Sequence, residues 1–412
     1  VEHALGQAES MTPLQEKIIR LITIQGPIEI SRYMLMATAD PEYGYYRTAN
    51  PFGREGDFIT APETSQMFGE MVAIWALATW QNMGSPAPFL LCEAGPGRGT
   101  LMDDILHTIG KLAPQYLDAA RVILVETSPR LAAAQKEKLK SRGIQVQWVG
   151  NVEELAGLPL ILIANELFDV LPIHQYVSGN GAFRERMISV DENGSLCFSL
   201  EHYPIRWNQI TGRTMRPIKT PERQPDSTGS IGISGSAQDE RTLMQAEAPD
   251  MPDGTVIEVS PARMALARQI SAHIVRNRGA ALIIDYGALE TGFGDTLQAM
   301  SKHSFRSPLE NPGDYDLTSH VNFAALARAA HSAGCHTAAL TQGDFLINLG
   351  LPERAGRLGA DKDETFRQQV VADVERLAAP ERMGGLFKVL CIADPRTTMP
   401  PFPWETSGRN KR

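Results

Sequence analysis

The chain has 412 residues, 43% of them hydrophobic, with 39 Lys+Arg against 48 Asp+Glu and a formal net charge of -9. That length accommodates one large α/β domain with additions, or two domains. The charge repels a phosphate backbone unless basic residues gather on one face, so nucleic acid is excluded as the expected partner.

The four cysteines, Cys92, Cys197, Cys335 and Cys391, never fall in C-x-x-C spacing, and the nine histidines form no H-E-x-x-H. No disulfide and no metal site is expected, and a reducing compartment follows. Val1 to Ser10 holds no basic stretch followed by an apolar one, and no apolar run approaches about 18 residues, so neither export nor membrane insertion is expected. Val1 is not an initiator methionine, which leaves a removed transit segment open. The expected location is the cytoplasm for a bacterial source and the mitochondrial matrix for a eukaryotic one. A homodimer is left open.

In chain order, Leu14, Ile18, Leu21 and Ile22 fall on one helical face, and a second helix is expected from about Ser65 to Trp80. With the Gly-, Pro- and aromatic-rich loop between them, residues 1–88 read as an N-terminal helical cap on the substrate side. From Phe89 short apolar runs alternate with amphipathic helices, the mark of a parallel sheet. Strands are expected at Phe89–Glu93, Arg121–Glu126, Gln145–Val149, Leu160–Ala164 and Ala280–Asp285. The first helix between them carries Leu101, Ile105, Ile109 and Leu112 at helical spacing. Two more start at Ser128-Pro129 and Ser260-Pro261 and stop at Gly143 and Gly279, matching the Ser cap, Pro first turn and Gly end of helices.

The alternation fails between the fourth strand and Val256. Residues 203–254 read as a polar insertion between the fourth and fifth strands, with its core, Thr220 to Asp239, a mobile loop. A helix near Thr318–Ala333, a strand near His336–Leu340, a helix near Glu364–Leu377 and a strand near Leu386–Ile392 complete the pattern. The expected architecture is α/β, a Rossmann-like sheet of about seven strands formed by 89–202 and 255–396, followed by a tail at 397–412.

Leu91-Cys92-Glu93-Ala94-Gly95-Pro96-Gly97-Arg98-Gly99-Thr100 carries the strongest chemical signal. A strand-to-helix bend needs glycine to turn tightly and to let a ligand lie against the backbone. The spacing is G-x-G-x-G, with Thr100 where a dinucleotide fingerprint has glycine, which disfavours NAD. S-adenosylmethionine carries an ammonium, a sulfonium and a ribose diol, so Glu93 before the glycines suits its charge and Glu126 at the end of the second strand suits its diol. Gly95, Gly97, Gly99 and Thr100 complete the expected cofactor set. A tight structural turn is the alternative.

Asn165-Glu166-Leu167-Phe168-Asp169 follows the apolar run of the fourth strand, where open α/β sheets place their ligands. Methyl transfer needs a nucleophile aligned with the methyl carbon and relieved of a proton, and a carboxylate does both for a guanidinium. Glu166 is the expected catalytic residue, Asp169 the second, and Asn165 a cofactor contact; alternatively Asn165 and Asp169 cap a following helix. Tyr46, Asp57, Thr60 and Glu63 lie on the early loop, which reads as a cover excluding water from a substrate site, or as plain aromatic packing with Thr60 or Ser65 as a cap. Asp285 stands at the end of the fifth strand as a further substrate residue, although Gly287 beside it could simply permit a turn.

Several separated segments together resemble the MidA-like family over about Gln15 to Ile392, the polar insertion excepted. They are Asp40-Pro41-Glu42-Tyr43-Gly44-Tyr45-Tyr46, Gly56-Asp57-Phe58-Ile59-Thr60-Ala61-Pro62-Glu63, the glycine bend, Ala164-Asn165-Glu166-Leu167-Phe168-Asp169-Val170-Leu171-Pro172, and Asp285-Tyr286-Gly287. Gly294-Asp295-Thr296-Leu297-Gln298-Ala299 and Asp316-Leu317-Thr318-Ser319-His320-Val321 add to them. The resemblance implies a class I methyltransferase fold, S-adenosyl-L-methionine as cofactor and, for eukaryotic members, symmetric dimethylation of an arginine on a core subunit of respiratory complex I. No second glutamate stands beside Glu166, as a double-glutamate arginine clamp would have it. The competing readings are a small-molecule methyltransferase, an assembly chaperone that keeps the pocket without turnover, and a nicotinamide-dependent oxidoreductase.

Overall fold

A computed structural model describes residues 11–48, 60–207, 209–210, 251–301 and 304–403. Its strands, in chain order, are β1 (Ile28–Glu29), β2 (Phe89–Ala94), β3 (Ala120–Val125), β4 (Val146–Val149) and β5 (Leu160–Asn165). There follow β6 (His174–Gly179), β7 (Ala182–Val190), β8 (Leu196–Leu200), β9 (Val256–Val259) and β10 (Gly279–Ala288). The last are β11 (Gln298–Ser301), β12 (Ser304–Arg306), β13 (Asp316–Thr318), β14 (Val321–Asn322), β15 (His336–Thr341) and β16 (Phe387–Ala393).

The largest sheet runs β15-β16-β10-β5-β2-β3-β4, with β14 paired to β10 off this path. Strands β2, β3, β4, β5 and β10 are parallel, while β16 is antiparallel to both its neighbours. The central strands are buried on both faces, which is why their sequences read as unbroken apolar runs. In β2, Phe89 and Leu91 enter one core, with the helices Gln66–Asn82 and Thr100–Leu112, and Leu90 and Cys92 enter the other, with Pro261–Asn277 and Phe323–Ser332. The chain leaves β2 toward β3 on one side and returns as β5 on the other, so a crevice opens beyond the ends of β2 and β5.

The helices foreseen at Ser128-Pro129 and Ser260-Pro261 begin there, each with its serine hydroxyl accepting a backbone N–H three residues on. Their ends differ. The first closes through Gly143 at φ 65, in the left-handed conformation, but the second is followed by Arg278 at a positive φ of 71 with an extended ψ. Gly279 is glycine for another reason: it opens β10, and a Cβ there would collide with the backbone of Leu160 in β5. The helix expected from Thr318 starts only at Phe323, capped by Asn322, because Asp316–Thr318 is paired as β13 with β11. Helices Gln342–Asn348 and Leu351–Gly359 lie in a stretch for which no element was foreseen.

Between β5 and the helix Pro261–Asn277 the chain adds β6 to β9, which with β1 from the N-terminal segment form a separate antiparallel sheet, β1-β7-β6-β9 with β8 on β7. The N-terminal helices Pro13–Gln25 and Ile30–Ala39 pack on this sheet and on the small sheet β12-β11-β13, through Leu14, Ile18, Tyr33 and Met34 against Ile188, Leu297 and Leu317. They therefore stand on the added sheets rather than on the central one. The expected mobile core, Thr220 to Asp239, lies outside the described residues. The stretch read as a tail from residue 397 places Met399 and Phe402 in the main core. Among the described residues no helix is long and apolar enough to cross a membrane.

Candidate active site

At the crevice beyond β2 and β5 lies a narrow hollow of about 50 Å³, open on one side to solvent. From the glycine bend it is lined by Glu93, Gly95, Gly97 and Thr100. Asn165 and Glu166 line it from the end of β5, and Thr60 and Glu63 from the early segment. Three stretches of sequence far apart thus meet around one space.

The bend is held by backbone geometry. Gly95 sits at φ 68, and a Cβ there would come within 2.8 Å of Leu167 Cδ1, so no other residue lets the bend and the Asn165–Asp169 turn approach this closely. Gly99, at φ 78, is the cap position of the helix Thr100–Leu112, which has no side-chain cap. Thr100 donates to Glu63 Oε1 at 2.7 Å, tying the early segment to the bend. Thr60 occupies the cap position of Ala61–Thr64 but makes no side-chain cap bond, and Ser65 caps the next helix.

Glu93 is 2% exposed, and its Oε2 has no hydrogen-bond partner. Burial, reinforced by Asp104, pushes its carboxyl up to about 8 against the pull of the Met102 backbone N–H. A buried carboxyl with no cation beside it is costly, and it points to a cationic ligand. Glu126 does not line the hollow; its Oε1 accepts from Ser128 N at 2.6 Å. It is joined to the bend by Gln135, whose Nε2 donates to Gly97 O at 2.7 Å and Glu126 Oε2 at 3.1 Å, and whose Oε1 accepts from Trp148 at 2.8 Å. Burial raises Glu126, while Ser128, Gln135 and the Arg47 guanidinium pull it back.

No helix follows β5, so Asn165 and Asp169 are not helix caps. Glu166 sits at φ 51, a left-handed conformation that costs a non-glycine residue roughly 1–3 kcal/mol. Its Oε1 accepts from Asn165 Nδ2 at 3.1 Å and Ala61 N at 3.4 Å. Burial and the neighbouring Asp169 raise the Glu166 carboxyl to about 7. Burial raises Asp169 to about 6, against the pull of Arg263 and the Tyr286 phenol.

Asp285, expected to meet substrate, instead holds this turn. It is 0% exposed, its Oδ2 accepts from Phe168 N at 2.9 Å and Asp169 N at 3.1 Å, and its Oδ1 accepts from Tyr286 N. Gly287 lies inside β10, where a Cβ would collide with the backbone of Val321 in β14; it serves close strand approach rather than a turn. Tyr46 lies outside the lining and donates to Asp316 Oδ2 at 2.7 Å. Asp57 lies outside the described residues.

Two residues here were missed from sequence. Gln135 clamps the bend, and Arg263 clamps the turn by donating to the carbonyls of Phe168 and Asp169 at 2.6 and 2.8 Å. Gln135 interrupts the apolar stripe Leu131/Gln135/Leu139, and Arg263 heads the buried face that continues through Ala267 and Ile270; a polar residue on an apolar face was the available signal. No group of three metal-ligating side chains occurs among the described residues.

A family model described as putative S-adenosyl-L-methionine-dependent methyltransferase matches residues 71–341. The mitochondrial protein arginine methyltransferase NDUFAF7 of Danio rerio is 30% identical over 393 residues, which cover 90% of this chain and 84% of that protein. Its Drosophila melanogaster homolog is 31% identical over 416 residues, covering 94% and 87%. The crystal structure of a likely methyl transferase from Burkholderia thailandensis bound to S-adenosyl-homocysteine superposes with a TM-score of 0.71 at 25% identity, covering 92% of each chain. The chain belongs to this family of S-adenosyl-L-methionine-dependent methyltransferases.

Proposed function

We propose that the chain methylates the guanidinium of an arginine on a protein, and that the protein is a core subunit of respiratory complex I. The observation that carries the reading is a pair of carboxyls on the lining of one hollow, beyond neighbouring strands: Glu93, buried with an unpartnered oxygen, and Glu166, with Asp169 three residues on. Relatives about 30% identical bear the name protein arginine methyltransferase, and carboxylates match a guanidinium better than they match an anionic substrate.

The residues present suit S-adenosyl-L-methionine: an orphaned buried Glu93 oxygen for its ammonium end, a bend without Cβ atoms to lie against, and the unpartnered Asn165 Oδ1. When bound, this cofactor supplies an electrophilic methyl on a sulfonium. Glu93 then gives up the proton it holds below about pH 8, since a cation beside it favours the carboxylate. Glu126, held by Gln135 and the Ser128 backbone, lies outside the hollow and reaches ribose hydroxyls only if the cofactor extends past Gly97 toward it. Glu166, with a carboxyl near 7, orients the guanidinium and takes a proton near neutral pH, with Asp169 in support. Thr60 and Glu63 form the near rim.

The reading places the protein in the mitochondrial matrix of a eukaryote or the cytoplasm of a bacterium. Incubation with methyl-labelled S-adenosyl-L-methionine and the source organism's complex I subunits should label arginine in a core subunit. Label found only in small molecules would discard the reading.

A further inference from the structure

The Glu166 backbone is held by the turn after β5, but its carboxyl is aimed by two donors that meet the same oxygen. Asn165 Nδ2 reaches Oε1 at 3.1 Å from the neighbouring residue, and Ala61 N reaches it at 3.4 Å from the early segment. An amide on the adjacent residue moves with the turn that carries Glu166. Among the described residues, the Ala61 N–H is therefore the donor that fixes this carboxyl relative to another part of the fold.

Ala61 opens the four-residue helix Ala61–Thr64, a single turn too short to hold its place by its own hydrogen bonds. Its place comes from contacts. Ala61 packs in the main core, and Glu63 Oε1 accepts from Thr100 Oγ1 at 2.7 Å. Thr100 is the first residue of the helix that follows the glycine bend. Glu63, Thr100 and Glu166 all stand on the lining of the one hollow. A hydroxyl donating to a carboxylate makes a short, charge-assisted bond, so Thr100–Glu63 is the stronger link and Ala61–Glu166 the weaker one that depends on it.

We propose that Glu63 and Thr100 are positioning residues for Glu166: their bond anchors the Ala61–Thr64 turn, and the anchored Ala61 N–H holds the Glu166 carboxyl in the orientation that meets the substrate nitrogen. This rests on the reading of Glu166 as the group that orients the guanidinium and takes its proton, and it deepens that reading. Glu63 serves here as an acceptor rather than as a charge, so glutamine can replace it and leucine cannot. Thr100 serves as a donor, so serine can replace it and valine cannot.

The test titrates the free full-length chain, labelled at its glutamate carboxyl carbons for NMR, with the Glu166 signal identified by its loss in Glu166→Gln. The other titratable or charged groups around Glu166 are Asp169 and Asp285 beside its turn and Glu63, Glu93 and Arg98 on the lining. Each loss of the bond is therefore read against a variant of equal charge. Thr100→Val should place the Glu166 midpoint about half a pH unit above that of Thr100→Ser, and Glu63→Leu the same distance above Glu63→Gln, because the carboxylate loses a donor. The arginine-labelling assay above should slow about tenfold in Thr100→Val and Glu63→Leu, and Thr100→Ser and Glu63→Gln should recover most of the rate. Equal midpoints within each pair, or equal rates within each pair, would overturn the positioning role while leaving Glu166 as the proton acceptor. Arginine labelling by Glu166→Gln at the wild-type rate would sink the Glu166 reading, and the positioning role with it.

Discussion

The glycine bend after β2 and the acidic turn after β5 end neighbouring parallel strands, yet they are built by opposite means. The bend is shaped by backbone that only glycine adopts, with one side chain, Gln135, locking it to Glu126. The turn contains no glycine. It is forced into shape by distant side chains, Asp285 on its N–H groups and Arg263 on its carbonyls, and it holds Glu166 in a strained conformation. A region made of glycine tolerates nothing larger, whereas a region made by clamps fails when a clamp is removed.

The largest effect should fall on the turn. Glu166→Gln should reduce kcat by roughly 10²–10⁴-fold, the range for loss of a general base, with S-adenosylhomocysteine affinity within about threefold of wild type. Steady-state kinetics with calorimetry checks both, and an equal loss in the two would move Glu166 to the cofactor side. Gly95→Ala should do the reverse. Its methyl meets Leu167 at 2.8 Å on a left-handed backbone, and cofactor affinity should drop about 100-fold, with stability falling by roughly 1–3 kcal/mol. Adding Leu167→Ala should relieve the collision but not the backbone strain, restoring only part of the affinity.

Arg263→Ala removes the donors that satisfy buried carbonyls and should cost about 3–5 kcal/mol in denaturant unfolding. Glycine-bend geometry should survive, so the protein that remains folded should still bind S-adenosylhomocysteine. The pH dependence distinguishes the two regions again. Glu166 and Asp169, raised to about 7 and about 6, must be ionised to act, so kcat should rise with pH through 6 to 7 and level off above. Loss of that acid limb in Glu166→Gln is the check. The smallest effect is expected for Gln135→Leu, a few-fold weaker cofactor binding as Glu126 and Gly97 lose their shared donor.

The same contrast explains what could be read in advance. The central sheet, the bend and the residues Glu93, Asn165 and Glu166 were legible because each signal is local: apolar runs buried on both faces, serine-proline helix starts, and glycines at fixed spacing beside an acid. The sheet β1-β7-β6-β9 was not foreseen, since its longest strand, β7, alternates only weakly and β1 is only two residues long. Asp285 looked like a substrate residue because its place at a strand end is visible in sequence, whereas the backbone N–H groups it satisfies are not. Gln135 and Arg263 act across the fold, on loops whose nearness is set by topology rather than by spacing.

Glu93 ties these observations to function. Its carboxyl lies near 8 rather than at its usual 4.5, so the fold favours the protonated form: the group costs stability increasingly as pH rises from about 4.5 to about 8, and nothing below. Glu93→Gln should therefore stabilise the free protein at pH 8, by roughly 2–5 °C in Tm, while leaving it unchanged at pH 4. The decisive measurement is calorimetric titration of wild type and Glu93→Gln with S-adenosyl-L-methionine at pH 7 in two buffers of different ionisation enthalpy. Wild type should bind with release of close to one proton, and the variant at least about tenfold more weakly with none; equal affinity and equal proton release in both would contradict a cofactor held by this buried carboxylate.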